Sequence, residues 1–321
     1  MADNKLPLIV TTSPADLALA AGALRDGAIV AVPTETVYGL AARADSVEAV
    51  AAIYRAKGRP DFNPLIVHVP DLAAAEALAD LDDRARALAA TFWPGPLTMV
   101  LPRRADAPIA AAVTAGLPTL AIRCPAHPVM QAILRESGLP LAAPSANRSG
   151  GVSPTTAGHV AASLGERVPM IVDGGACEAG IESTIVALRG DDEMAGGWQV
   201  LRPGPITSAD LAAVLGAQAE VSEDRGIEAP GQMTSHYAPG KPVRLNAAAK
   251  AADEFYITFG CMEGDASLSR SGDLAEAAAR LYAALHEAAQ AHQPKVAIAP
   301  IPDEGIGAAI NDRLRRAAAP V

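Results

Sequence analysis

Residues 45–69 read DSVEAVAAIYRAKGRPDFNPLIVHV, and two periodicities meet there. Val47, Val50, Ile53 and Tyr54 recur at helical spacing behind Asp45 or Ser46, either of which can act as N-cap. Arg55 and Lys57 fall in the last turn, where cations offset the macrodipole, and Gly58 suits the residue just past a helix end. After the rigid RPDFNP, the run PLIVHV has the length and composition of a buried strand. The stretch therefore predicts helix, turn and strand, the repeating unit of an α/β protein. Capping accounts for Arg55, Lys57 and Gly58, but not for Arg59 beyond the glycine or for His68 inside an apolar strand. Three cations at alternate positions make this turn a candidate anion site.

Outward from this unit the pattern repeats. AIVAVP (28–33), PLTMVL, TLAIR, LPLAAP, PMIVD and STIVAL are further short apolar runs, and helical stretches such as 71–91 and 155–164 separate several of them. Strands of this kind predict a sheet with helices on both faces, continuing to about residue 215. Residues 222–240, SEDRGIEAPGQMTSHYAPG, lose periodicity and gain Gly, Pro and charge, as a linker does. A smaller α/β pattern follows, with strands near 242–246, 254–259 and 295–299 and helices near 273–290 and 305–317. No internal repeat is present.

The 321 residues are 50% hydrophobic, enough for two cores. A net charge of −10 and 3% aromatics argue against a broad grip on nucleic acid, which needs a basic surface. A nucleotide would require a local cationic pocket. Cys124, Cys177 and Cys261 lack the spacing of a disulfide framework or a zinc site. No window reaches transmembrane length and no leader pattern opens the chain, so a cytoplasmic protein without membrane contact is expected.

Polar groups gather where strands end. LAAPSANRSGGVSPTTAGHV (141–160) runs from a strand into a loop holding Ser145, Asn147, Arg148 and Ser149, then two glycines. Ser153-Pro154 reads there as an N-cap with proline at the first helical position, a place that attracts phosphate. The loop lacks the G-K-[ST] ending of a Walker loop. PTETVYGLAA (33–42) offers Thr34, Glu35, Thr36 and Tyr38; TLAIRCP offers Arg123; DGGACEAGIESTIV (173–186) offers Ser183 and Thr184; VLRPGPIT offers Arg202. Such groups around one crevice are the usual ligand site of an open α/β sheet. Gly305-x-Gly307 lacks the third glycine of a dinucleotide loop, and His127, His159, His286 and His292 lack metal-ligand spacing. No G-x-S-x-G or Cys/His pairing supports covalent catalysis.

In order, PTETVYGLAA, YRAKGRPDFNPLIVHV, FWPGPLTMVL, LAIRCP, APSANRSGGVSPT, DGG…ESTIV and LRPGPI resemble the YrdC-type L-threonylcarbamoyladenylate synthases. SHYAPGKPV and the tail GAAINDRLRRAA are similar to the long form with an extra C-terminal domain. The resemblance implies a twisted open mixed sheet with helices over residues 1–215, a linker or lid over 216–241, and a small Rossmann-like α/β domain over 242–321. The implied reaction condenses L-threonine, bicarbonate or CO2, and ATP to threonylcarbamoyl-AMP and pyrophosphate, with Mg2+ on the triphosphate. The product would pass to the tRNA threonylcarbamoyl transferase complex, without stable direct binding of tRNA.

Carried over position by position, Thr36, His68, Arg123, Ala143 and Ser183 would hold threonine, with Arg123 on its carboxylate. Lys57, Arg59, Asn63, Thr119, Ser145, Asn147, Ser153 and Arg202 would hold the nucleotide, with Lys57 and Arg59 catalytic, and no residue is assigned to a metal. His236 and Tyr237 would fold back over the nucleotide. Two other readings are a non-catalytic RNA-binding module, which the charge and scarce aromatics disfavour, and a carbamoyl-transfer domain of hydrogenase maturation. The second normally comes with acylphosphatase and zinc-finger segments, which this sequence lacks.

Overall fold

The computed structural model describes residues 6–59, 63–188, 197–216 and 236–319. Among these, ten strands form one sheet: β1 (Leu8–Val10), β2 (Val30–Val32), β3 (Gly39–Arg43), β4 (Ile66–His68), β5 (Leu97–Pro102), β6 (Thr119–Arg123), β7 (Leu141–Ala142), β8 (Met170–Val172), β9 (Thr184–Leu188) and β10 (Trp198–Arg202). Their order is β1-β8-β2-β3-β7-β4-β6-β5-β9-β10, with parallel and antiparallel neighbours mixed. The helices are α1 (Pro14–Arg25), α2 (Val47–Lys57), α3 (Leu72–Glu76), α4 (Asp83–Phe92), α5 (Ala111–Thr114), α6 (Pro128–Ser137), α7 (Ala157–Leu164) and α8 (Ser208–Leu215).

The opening stretch folds as its periodicities dictate. Ser46, rather than Asp45, caps α2 through its side chain, and Gly58 ends the helix at φ 60°. Ile53 of α2, Leu88 of α4, Val113 of α5, Val160 of α7 and Leu211 of α8 pack with Leu40, Val67, Met99 and Ile122 in the largest core. On the other face, Leu24 of α1 and Ile133 of α6 cover Val30, Val172 and Leu141.

That second covering stops midway. Ile66, Val100, Ala121, Ile185, Ala187 and Leu201 form a cluster of their own to which no described helix contributes. The connections from β4 to β5 and from β5 to β6 carry α3, α4 and α5, and all three pack into the largest core. The expected two-sided covering thus holds for half the sheet, and the other half keeps one face for the site.

Two local expectations also change. The helical stretch 71–91 is two helices, because the chain breaks to bond Asp80 N to Pro102 O and Asp82 caps a new start. The loop at 141–160 enters its helix later than Ser153-Pro154 predicts. Thr156, extended at φ −142°, caps α7 by accepting from His159 N, which frees Ser153 for another partner.

The second sheet contains β11 (Val243–Arg244), β12 (Glu254–Thr258), β13 (Ala266–Ser267) and β14 (Lys295–Ile298), flanked by α9 (Leu274–Gln290) and α10 (Gly307–Ala318). Its order is β11-β14-β12-β13, and every pairing is parallel, as a small Rossmann-like unit requires. The two-residue β13 is too short to register as a periodicity. Val37, Val152 and Ile181 pack in the same core as Leu281, Leu285 and Ile310, so the two sheets are joined by shared apolar burial.

Candidate active site

Arg123 ends β6 pointing into the face that no described helix covers. Register pairs it with His68 on β4 and Thr98 on β5. Its Nη2 donates to Glu35 Oε1 at 2.7 Å, its Nη1 to Thr36 Oγ1 at 2.8 Å, and its Nε to Gly95 O at 3.2 Å. Burial opposes the charge on Glu35, but Arg123 outweighs it and holds the carboxyl below its ordinary range. Thr34 Oγ1 lies 2.9 Å from Thr36 Oγ1 and donates to Val37 O, which fixes the TET turn. His68 is buried, and burial and then the Arg123 charge push it down to about 3. It is therefore neutral, and its Nδ1 has no partner.

Ser183 links this group to a second one. Its Oγ lies 2.8 Å from Thr98 Oγ1 and accepts from Arg202 Nη2 at 3.0 Å, while its carbonyl accepts from Arg202 Nε. Arg59 donates to Asn63 O and Pro64 O, and burial lowers it to about 10. Thr36, Arg59, His68, Arg123, Ala143 and Ser145 line one hollow together with Ser183, Arg202, His236 and Tyr237. Three guanidiniums thus line one partly open pocket of about 50 Å³.

Five expected residues do not line that hollow. Lys57 is buried, its Nζ donating to Ser145 O at 2.5 Å and Asn147 O at 2.6 Å. Burial, then the Arg59 charge, pushes its ammonium well below the usual lysine range. Asn147 donates to Arg148 O and Gly151 O and accepts from Ser145 Oγ. Lys57 and Asn147 therefore shape the SAN loop from beneath. Ser153 donates to Glu182 Oε1 at 2.6 Å. Asn63 is buried beside Arg59, and Thr119 opens β6 on the same side of the strand as Arg123.

His236 and Tyr237 come back onto this region, whereas residues 217–235 of the expected lid lie outside the described residues. Ala238 N donates to Gly150 O and His236 N to Arg316 O. Tyr237 sits at φ 64°, a left-handed conformation costly for a bulky residue.

Glu35, offered by the sequence without a role, pairs with Arg123, and Glu182 lines the hollow with Tyr282 and Arg313 bonded behind it, three residues the sequence did not single out. The sequence carries a signal for Arg313: it falls with Ile310, Leu314 and Ala317 on the buried stripe of α10. Burial opposes the charge on Glu182, but Arg313 and Arg202 outweigh it and hold the carboxyl at about 2.

A family model described as "Telomere recombination" (Sua5_yciO_yrdC) matches residues 22–204, and one described as "Threonylcarbamoyl-AMP synthase, C-terminal domain" matches 206–319. The threonylcarbamoyl-AMP synthase of Bacillus subtilis (strain 168) is 40% identical over 96% of this chain and 94% of its own length. That of Pyrococcus abyssi is 36% identical over 93% of each chain. The crystal structure of P. abyssi Sua5 complexed with L-threonine superimposes with a TM-score of 0.88 at 34% identity, covering 98% of both chains. The chain belongs to the Sua5/YciO/YrdC family, in the form that carries the threonylcarbamoyl-AMP synthase C-terminal domain.

Proposed function

We propose that this chain makes threonylcarbamoyl-AMP from L-threonine, bicarbonate or CO2, and ATP, releasing pyrophosphate. The observation that carries the reading is the convergence of Arg59, Arg123 and Arg202 on one hollow of an otherwise acidic protein. Threonine's nitrogen bonds to the carbon of CO2, and the ammonium loses two of its three protons while one N–H stays in the carbamate; with bicarbonate as the source, its hydroxyl leaves as water with one of those two protons. A carbamate oxygen then attacks the α-phosphorus of ATP, and the bond to pyrophosphate breaks. Both partners are anionic, so neutralising and aligning them is the protein's work and no protein nucleophile is needed.

Arg123 receives the threonine carboxylate, with Thr36, His68, Ala143 and Ser183 around it. Arg59 and Arg202 face the phosphates beside Ser145, while Lys57 and Asn147 act by holding the loop. Thr119 sits two residues from Ala121 on a floor otherwise made by Ile66 and Val100, which suits a purine. Asn63 and Ser153 support the nucleotide's surroundings. Mg2+ would enter on the triphosphate of ATP, as part of the substrate.

The present volume is too small for a nucleoside triphosphate, and His236 and Tyr237 form part of its wall. Substrates would enter when that lid moves, as in other closing sites. Residues 1–215 would be the catalytic part, 216–241 the lid and 242–321 its support. The labile product would be consumed by threonylcarbamoyl transfer to tRNA, in the cytoplasm; no described helix is long and apolar enough to cross a membrane. Incubation with 13C-bicarbonate should give threonylcarbamoyl-AMP carrying the label in its mass spectrum. An adenylate without the label, or none at all, would refute the reading.

A further inference from the structure

Two helices of the C-terminal domain reach into the first domain beside the hollow. Arg313 of α10 is fully buried; its Nε donates to Glu182 Oε2 at 3.0 Å and its Nη1 to Pro203 O at 2.7 Å. Tyr282 of α9 donates its hydroxyl to the same Oε2 at 2.7 Å. One turn further, His286 Nε2 lies 3.1 Å from Ser153 O. Ser153 Oγ in turn donates to Glu182 Oε1. One carboxylate oxygen is thus satisfied by the C-terminal domain and the other by the nucleotide loop.

The same two side chains bracket the lid. The Arg313 guanidinium lies 5.7 Å from the Tyr237 ring centre, and the Tyr282 ring 5.5 Å from it. The interface has no slack: a Cβ on Gly180 would meet the α9 backbone at Ala279 within 2.4 Å. A buried ion pair is an inefficient way to glue two domains, because desolvation consumes most of its attraction. Apolar contacts from Val37, Val152 and Ile181 already do that. What the ion pair adds is geometry.

We propose that Arg313 and Tyr282 are positioning residues: they fix Glu182, through it Ser153, and with them the segment of Arg202 and the lid residue Tyr237. The Rossmann-like domain thereby sets the shape of the nucleotide half of the site without touching substrate. This rests on the synthase reading for its kinetics, but ATP affinity can be read without turnover.

The test uses Y282F, R313K and E182Q in the full-length chain. It reads the Kd of ATP alone by calorimetry, the KM values of ATP and threonine, and the Tm. Y282F and R313K should each weaken ATP binding by about tenfold, as loss of an orienting outer partner does. The threonine KM should stay within about twofold of wild type. Adding Y282F to E182Q should cost little more than E182Q alone, because both cut one network. Should R313K fail to fold, Y282F, which removes one oxygen, decides. Unchanged ATP affinity in the folded variants, equal rises in both KM values, or fully additive effects would overturn the proposal. A wild type that binds ATP but forms no adenylate refutes the synthase reading alone, and the affinity comparison still decides this one. A wild type that binds no ATP overturns both.

Discussion

Arg123 and Lys57 are both basic residues expected at one site, and they do different work. Arg123 faces the hollow with a guanidinium that already touches a hydroxyl and a carboxylate, so a substrate carboxylate meets a preset fork. Arg123→Ala should raise the threonine KM by at least about tenfold while leaving the ATP KM nearly unchanged, since it removes one charge-assisted contact. Equal rises in both would contradict its assignment. Lys57 instead satisfies carbonyls of the SAN loop. Lys57→Met would orphan them and should lower stability by about 1–3 kcal/mol in denaturant titration, together with activity. Arg59→Met should lower activity with a much smaller stability loss; the reverse ranking would exchange the two roles. The sequence showed three cations around a glycine, but not that one of them turns inward to hold a loop 90 residues away. That needs the tertiary placement of Asn147.

Among elements, those with strong periodicity were legible: α2, β4, β6, α9 and α10 lie within a few residues of where their patterns put them. The start of α7 was not, because two hydroxyl residues compete to cap it, and only the tertiary pull of Glu182 on Ser153 decides for Thr156. That described helices cover only one face of half the sheet was illegible as well, since strand periodicity does not say which face a connection crosses. Gly204 offers a test at this scale. A Cβ there would meet Thr184 N at 2.4 Å and Glu182 O at 2.7 Å, so LRPGP packs backbone against the start of β9. Gly204→Ala should cost about 1–3 kcal/mol by overpacking and weaken ATP use more than threonine use. Wild-type stability and kinetics would show that the segment yields freely.

For the whole molecule, the buried histidines couple folding to pH. Burial holds His68 and His236 near 3, and His159, also facing His286, near 4. They are neutral in the fold, whereas the unfolded chain takes up protons near the ordinary histidine value of about 6.5. The unfolded state therefore binds more protons below that value, and stability falls as pH drops from about 6.5 toward 3 to 4. Differential scanning calorimetry should show Tm declining steadily between pH 7 and 5, and a flat profile would mean that these rings are solvated. The His159–His286 stack, 3.9 Å between ring centres, joins α7 to α9, so part of this loss falls on the joint between the domains. The long form was readable from SHYAPGKPV and the tail, but the tail did not reveal that Arg313 enters the first domain.

Pyrophosphate release with threonine, bicarbonate and ATP, each omitted in turn, tests the central claim most directly. Release should require all three, because the attacking oxygen exists only once threonine and CO2 have joined. Release from ATP without threonine, or none with all three present, would contradict the account.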